Sequence, residues 1–342
     1  MATKWCCQKS GNASFGISTR KGRTTLEICS KAPVPLNSPP VPAPEASIER
    51  LTYHDWPGCF RISNASVEAI VVPAVSRIMQ FRLKGDRNGT FWENRDLDGK
   101  LHTPACTAWM NFGGEKCWPA PQSAWPLLQG REWPPPVAFD AQPMESAQIK
   151  RGVTLTSPAD PVCGIQVVRQ VELDPILPVL RIRTEYRKLH GSAVTVGIWS
   201  IAQLREPERM YVPLPKESNF PEGFVLLMKD QPAELKITGR LLSLARHPQS
   251  FAKLGTDAAS LLWIGPRCML RIDTERKPGI YPNGGCVTEI YTNPGLENYV
   301  ELETLGPLET IQAGDRIQQT TSYTLLPRTT TDLDEEAAKA LR

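Results

Sequence analysis

Two glutamates near the end of the chain stand two positions apart in a stretch with the period of a β-strand. Glu301 and Glu303 alternate with Val300 and Leu302 in "ENYVELETLG". Successive side chains of a strand point to opposite faces, so the two carboxylates share one face. If that face is partly dry, repulsion and lost hydration raise the pKa of one carboxyl and make it a usable general acid or base. The alternative is an ordinary strand with a hydrated polar face.

A second stretch, "NFGGEKCWPAPQ" at residues 111–122, holds two glycines, an adjacent Glu-Lys pair, a tryptophan and two prolines. It predicts a rigid loop, because proline restricts the backbone and glycine lets it approach a ligand closely. Sugar rings have apolar C–H faces and hydroxyl edges, so tryptophan beside short polar side chains suits a carbohydrate site. The polar candidates are Asn111, Glu115, Lys116 and Gln122, and the neighbouring tryptophans are Trp109, Trp118, Trp125 and Trp133. The alternative is that these tryptophans cap one end of a core.

Other kinds of site find little support in the residue pattern. The four histidines are far apart, with no HExxH arrangement, and the nine cysteines lack CxxC spacing, which argues against a metal site and a disulfide framework. No GxSxG motif and no phosphate-binding GxxxxGK[ST] loop is present. We therefore expect neither metal nor cofactor, and cysteines that act as small buried apolar groups.

The elements that must position these residues are predominantly strands. Twelve short runs, among them "RIMQFRLKG", "GIQVVRQVEL" and "QTTSYTLLP", are separated by turn residues, and several alternate apolar with polar positions. This pattern predicts an all-β fold, a large antiparallel β-sandwich with few helices. We expect a disordered proline-rich tail at residues 1–46, a sandwich domain at 47–327, and a helix or tail at 328–342, where "TDLDEEAAKALR" is typical of a capped helix.

The charge and hydropathy of the chain limit the classes of partner that we expect. A formal charge of +3 gives no electrostatic reason to expect nucleic acid or an anionic membrane surface. No apolar run is long enough to span a bilayer, and the first residues lack the apolar stretch of a secretory signal. A cytoplasmic protein with a carbohydrate ligand is the expectation.

Three segments in a fixed order carry a family resemblance. "FRISNASVEAIVVPAVSRIMQFRLKG" contains an Arg77-Ile78 pair in a hairpin, "GGEKCWPAPQ" follows it, and "YVELETLGPLETIQAGD" comes near the end. Together they resemble the galactose-mutarotase-like superfamily of aldose 1-epimerases and hexose-6-phosphate epimerases, and most closely an uncharacterised bacterial branch of it. The resemblance spans residues 48–327 and implies a supersandwich fold with a sugar site.

The resemblance also implies roles for individual residues. With Gly314 as anchor, the family's catalytic base falls at Glu301, or at Glu303 after a two-residue shift. The family's acid is a histidine on a central strand, but the matching strand "VTVGIWSIAQL" offers Trp199 and Ser200.

Two further positions bear on turnover and substrate. Lys116 or Tyr281 is the candidate replacement for the missing acid. Asn111 stands where phosphate-specific members have an arginine, which favours a sugar without phosphate.

Three functional hypotheses follow. The first is a carbohydrate-binding protein with a concave site that includes Gln203, without turnover. The second is an isomerase of the aldose 1-epimerase type. The third is a structural or interaction module. The predicted catalytic residues are Glu301, Glu303 and Lys116, and the predicted substrate-binding residues are Arg77, Asn111, Glu115, Trp118, Gln122, Trp199, Gln203 and Tyr281.

Overall fold

The computed structural model describes residues 13–20, 23–30 and 45–342 of the chain. In the N-terminal unit, β1 (Ala13–Arg20) and β2 (Arg23–Ser30) pair antiparallel into a two-stranded sheet. These strands fall within the segment expected to be a disordered tail, and its proline-rich part lies outside the described residues. The predicted boundary between tail and domain stays a prediction.

The rest of the described chain is mostly β-strand. Its strands are β3 (Ser47–Tyr53), β4 (Trp56–Ser63), β5 (Val67–Val72), β6 (Arg77–Leu83), β7 (Glu115–Ala120), β8 (Glu145–Ile149), β9 (Gly152–Thr156), β10 (Ile165–Leu173), β11 (Val179–Lys188), β12 (Val194–Arg205), β13 (Arg209–Pro213), β14 (Val225–Leu226), β15 (Lys236–Thr238), β16 (Leu241–Leu244), β17 (Ala252–Thr256), β18 (Ser260–Ile264), β19 (Cys268–Thr274), β20 (Thr288–Thr292), β21 (Tyr299–Leu305), β22 (Glu309–Ile311) and β23 (Arg316–Pro327). The α-helices are α1 (Trp125–Gln129), α2 (Val137–Asp140) and α3 (Leu333–Ala340), with 3-10 turns at Pro73–Val75, Arg95–Leu97 and Gln122–Ala124.

These strands form two large antiparallel sheets. The ten-stranded sheet has the order β15-β16-β13-β18-β19-β23-β11-β10-β9-β8. The eleven-stranded sheet has the order β14-β17-β20-β21-β12-β7-β6-β5-β4-β3, with β22 paired to β12. The all-β sandwich expected from the sequence is confirmed.

Buried apolar side chains from both sheets form one continuous core. Alternation along β23, where buried and more exposed positions follow each other through the strand, shows how one face of the ten-stranded sheet is covered and the other hydrated. β21 differs, because all seven of its residues are buried. Core residues of the two sheets include Leu204, Ile290, Leu302, Val171, Ile182 and Leu325.

A buried ion pair joins the two sheets through this core. Arg169 of β10 donates to both oxygens of Glu115 in β7, at 2.5 and 2.6 Å, and neither side chain is exposed. The Tyr323 hydroxyl of β23 lies 3.4 Å from the same carboxylate. Because ions buried without partners are very costly, this pair restricts how β7 can lie against β10.

The predicted rigid loop at residues 111–122 is instead partly a strand, β7. β7 pairs with β12 from Glu115 to Ala120, whereas β6 pairs with β7 only at Ile78 and Glu115. Pro119 has no N–H to donate, and it lies where the β6 side of the strand is unpaired. A proline is therefore tolerated in this strand.

The C-terminal segment forms α3, where the sequence predicts a helix. Asp332 caps it by accepting from the backbone N–H groups of Asp334 and Glu335. Ala337 packs with Tyr211 and other side chains of the ten-stranded sheet. No helix in the described part of the chain is long and apolar enough to cross a membrane.

The Glu115–Arg169 pair generates a stability prediction. Arg169→Met leaves a buried carboxylate without its partner, so we expect the free energy of unfolding to fall by about 3–5 kcal/mol. Glu115→Leu combined with Arg169→Met removes both charges and should recover most of that loss. Urea denaturation followed by circular dichroism measures both. A double variant no more stable than Arg169→Met would contradict this interpretation.

Candidate functional site

Strand alternation separates the adjacent Glu115 and Lys116. Glu115 points toward the ten-stranded sheet, where Arg169 binds it. Lys116 points to the opposite side, here called the outer face of the eleven-stranded sheet. Glu115 is therefore removed from the set of residues that could contact a ligand on that face, because both its oxygens are used within the core.

On the outer face, Lys116 contacts Glu301. The Lys116 Nζ lies 3.4 Å from Glu301 Oε1, and the strand register places Gln203 beside Glu301. The ammonium also lies 4.8 Å from the ring centroid of Trp118. Burial lowers the pKa of Lys116, and Glu301 opposes that shift. The predicted proximity of Lys116 and Glu301 is present in the structure.

A second charged cluster lies beside the first on the outer face. Lys253 of β17 lies 3.1 Å from Glu303 and 3.0 Å from Glu289, a residue of β20. Trp199 donates its indole N–H to Glu303 at 2.8 Å. Asn283 donates to Glu289 at 2.6 Å. Both carboxylates are fully buried and are held by lysine, indole and amide donors.

The electrostatics of this cluster follow from burial and crowding of like charges. Burial raises the pKa of Glu303 to about 8, with Lys253 opposing the shift and Glu289 and Glu301 adding to it. Burial alone would lower the pKa of Lys253, but the carboxylates around it raise the pKa above its ordinary value. Glu303 can therefore hold or release a proton near neutral pH while Lys253 stays charged.

A cavity of about 330 Å³, here called the Trp199 cavity, opens above this second cluster. Its lining includes Trp199, Lys253, Gln122, Ser123 and Asn283. The volume lies in the usual range for small-molecule pockets, and the lining combines one aromatic ring with amide, hydroxyl and ammonium groups. None of its lining residues in the described part of the chain is a histidine.

The predicted stacking residue Trp118 is buried rather than displayed. It is 4% exposed and packs edge-to-face with Trp125, Trp133 and Trp199 at ring-centroid distances of 5.5 to 6.0 Å. The cluster buries a large apolar area, and its only strongly exposed member is Trp133, at 46%. Trp118 supports Trp199 instead of offering a free face to a ligand.

Arg77 holds the chain segments around this aromatic cluster. Its guanidinium lies 2.7 Å from Asp140 and donates to the Gly113 carbonyl at 3.2 Å. Asp140 also accepts from the indole N–H of Trp118 at 2.8 Å and of Trp109 at 3.0 Å. Arg77 is fully buried and its donors are used within the protein, so its role here is structural, not ligand contact.

Asn111 and Tyr281 also have protein partners. Asn111 donates to Glu297 at 3.2 Å, and the hydroxyl of Tyr281 accepts from the backbone N–H of Lys277 at 2.8 Å. Burial raises the pKa of Tyr281, so it holds its proton firmly. It directly precedes Pro282 and Asn283 of the Trp199 cavity but does not line it.

Gln203 is an exception to the rule that buried amides find partners. It is fully buried on the outer face, and neither its amide nitrogen nor its amide oxygen has a hydrogen-bond partner among the described residues. Its position beside Glu301 leaves polar capacity next to the Lys116–Glu301 contact.

Sequence reasoning missed Lys253, Glu289 and Asn283. Glu289 had a usable signal, because "VTEIYTN" alternates and places Glu289 and Tyr291 on one face. Lys253 had none, since "AKLGT" has no clear period. Its place beside Glu303 arises only from the pairing of β17 with β20 and of β20 with β21.

Comparison with known proteins shows which solved structures share this fold. No protein-family model and no curated sequence matches the chain. Solved structures do match: a galactose mutarotase-like protein from Lactobacillus casei has a TM-score of 0.50 at 11% identity, over 78% of this chain and 100% of that one. The chain has the galactose mutarotase-like fold. The fold expected from the sequence resemblance is thereby confirmed.

Two further solved structures support the same fold. A proposed aldose 1-epimerase from Escherichia coli K12 has a TM-score of 0.53 at 12% identity, over 83% of this chain and 100% of that one. A proposed aldose 1-epimerase from Klebsiella pneumoniae has a TM-score of 0.54 at 9% identity, over 98% of this chain and 89% of that one. At such low identity the likeness concerns the fold, and the site must be judged from its own residues.

The raised pKa of Glu303 generates a pH prediction. The folded protein holds this proton up to about pH 8, whereas the ordinary pKa is 4.5. The folded state thus binds more protons between these values, and the free energy of unfolding should fall as pH rises from about 5 to about 8. Glu303→Gln should flatten this slope in urea unfolding measured across that pH range, because Gln has no proton to lose.

A spectroscopic readout checks the same group directly. In protein labelled with ¹³C at glutamate carboxyls, one resonance that is absent from Glu303→Gln should titrate near pH 8. Exposed Glu309→Gln is the matched control and should leave the resonance that titrates near pH 8 in place. Titration of the Glu303 resonance below pH 6 would contradict the electrostatic description.

Proposed function

We propose that the chain binds an uncharged sugar in the Trp199 cavity. The observation that carries this proposal is the lining of the cavity, whose volume is about 330 Å³. It combines Trp199 with four polar side chains: Gln122, Ser123, Lys253 and Asn283. Trp199 is 5% exposed and the Lys253 ammonium lies 4.9 Å from its ring centroid, so it offers an apolar edge of its ring rather than a free face. That edge can contact the C–H groups of a sugar, and amide, hydroxyl and ammonium groups hydrogen-bond its hydroxyls.

Charge balance supports an uncharged ligand. The outer face holds Glu289, Glu301 and Glu303 against Lys116 and Lys253. With Glu303 protonated, two carboxylates face two ammonium groups, so the site has little net charge. A sugar phosphate would bring an unpaired dianion to these carboxylates, which is unfavourable.

Binding without turnover is favoured over catalysis by the arrangement of proton donors. An aldose epimerase needs both a base and an acid near the substrate. Glu303 has a suitable pKa, but Lys253 beside it stays protonated, and Lys116 is fully buried against Glu301. Tyr281 lies outside the cavity lining.

An isomerase of the aldose 1-epimerase type is the second candidate, and one observation favours it. Glu303 lies directly beneath two cavity-lining side chains, Trp199 and Lys253, and its pKa is about 8. A carboxyl group beside a cavity with a pKa near neutral pH is what a general base requires. The sequence predicted this role for Glu301 or Glu303. Glu303 contacts two residues that line the cavity, whereas the ion pair of Glu301 is with Lys116, which does not line it.

Titration calorimetry with a panel of aldoses and disaccharides tests the binding proposal. We expect saturable binding of at least one sugar, and about fivefold weaker binding by Gln122→Ala, the loss of one hydrogen bond. Gln318→Ala, an exposed glutamine on the ten-stranded sheet, should bind like the wild type. Equal affinity of both variants, or no binding across the panel, would remove the Trp199 cavity from consideration.

Polarimetry on freshly dissolved aldoses separates binding from turnover. We expect the wild-type protein not to accelerate anomer interconversion. Acceleration that Glu303→Gln abolishes would instead establish the second candidate, because only a titrating carboxyl is lost in that variant.

A further inference from the structure

A second cavity, of about 260 Å³, lies near the C-terminal end of β12 and is here called the arginine pocket. Four arginines from four segments line it: Arg82 of β6, Arg87 after that strand, Arg95 of the 3-10 turn Arg95–Leu97, and Arg205 at the end of β12. Arg205 lies six residues along β12 from Trp199, or about 20 Å at the rise of a strand. The arginine pocket is therefore separate from the Trp199 cavity.

Ion pairs account for two of these four guanidinium groups. Arg82 lies 2.7 Å from Glu68. Arg95 lies 3.0 Å from Glu93 and 2.7 Å from Asp98. Arg87 and Arg205 make no ion pair with any carboxylate in the described part of the chain, so the pocket keeps an excess of positive charge.

Among the described residues that line the pocket, Glu93 is the one carboxylate, and its oxygens already accept hydrogen bonds within the protein. It accepts from the Tyr53 hydroxyl at 2.7 Å, from Gln80 at 2.6 Å and from Arg95 at 3.0 Å. The negative charge of Glu93 is thus compensated by the Tyr53 hydroxyl and the Arg95 guanidinium. Burial and then Arg95 lower the pKa of His54, which also lines the pocket, so His54 stays neutral at pH 7.

We propose that the arginine pocket binds the phosphate, sulfate or carboxylate group of a small polar ligand through Arg87 and Arg205. A guanidinium presents parallel N–H donors that match such an oxyanion in a bidentate fashion. Two guanidinium groups without acidic partners at one cavity provide this match, and the Asn88 side chain offers further hydrogen bonds. A cavity of about 260 Å³ exceeds the room that a bare oxyanion needs, so the ligand carries a polar body as well.

This proposal is independent of sugar binding in the Trp199 cavity. Its charge requirement is the opposite one, because the Trp199 cavity is nearly neutral whereas the arginine pocket is cationic. A ligand could occupy either cavity without the other.

Titration calorimetry at low ionic strength tests the proposal with four probes: inorganic phosphate, sulfate, glucuronate and neutral glucose. We expect saturable binding of at least one of the three anions, weakened by added salt because charge drives it. The variant Arg87→Gln with Arg205→Gln keeps a hydrogen-bonding group at each position but removes both charges, and should bind that anion at least about tenfold more weakly. Arg316→Gln, an exposed arginine on the ten-stranded sheet, is the matched control and should bind like the wild type.

The probes also identify the ligand class. Binding of phosphate and sulfate without glucuronate indicates an ester of a tetrahedral oxyanion, and the reverse indicates a carboxylate. Both replaced arginines are exposed, so folding should be retained, and circular dichroism checks it. Absence of saturable anion binding, or equal anion affinity in the double variant and the wild type, would overturn the proposal whatever glucose does at the Trp199 cavity.

Discussion

The buried contact between Glu115 and Arg169 is the constraint on which the arrangement of the outer face depends. Both side chains are fully buried, and each would be very unfavourable without the other. Because β7 alternates, a Glu115 fixed toward the ten-stranded sheet commits Lys116 and Trp118 to the outer face. A one-residue slip of β7 would exchange the two sets and bury Lys116 between the sheets. The pair therefore specifies register, as buried ionic groups do in some other proteins.

Once Lys116 is placed, the outer face must balance several buried charges. Three carboxylates meet two ammonium groups there, so one negative charge is left over if all are ionised. Burial, and then repulsion from Glu289 and Glu301, raises the pKa of Glu303, and retention of its proton removes that excess. A face balanced in this way suits hydroxyl-rich ligands better than charged ones. The same environment gives Glu303 a pKa useful for proton transfer.

The periodicity of short sequence segments predicted the strands and the faces on which their side chains lie. The period of two in "YVELETL" placed Glu301 and Glu303 on one face, and β21 has that arrangement. The number of short alternating runs predicted the all-β sandwich. In contrast, composition predicted a loop at residues 111–122, and strand pairing overrode it, because β12 offers β7 a continuous partner and Pro119 falls on the side without one. Lys253 could not be found from the sequence, since its contact with Glu303 requires the order of three paired strands.

β12 links the two cavities, because its outer face carries Trp199 near its middle and Arg205 at its C-terminal end. The physical difference between these two positions lies in how charges are paired. Around Trp199, lysines are outnumbered by carboxylates and one proton restores neutrality. Around Arg205, guanidinium groups outnumber the carboxylates available to them, and no protonation change near pH 7 can remove that excess, because arginine does not titrate there. Neutrality beside Trp199 can be adjusted by one proton, whereas the positive excess beside Arg205 stays constant through this pH range.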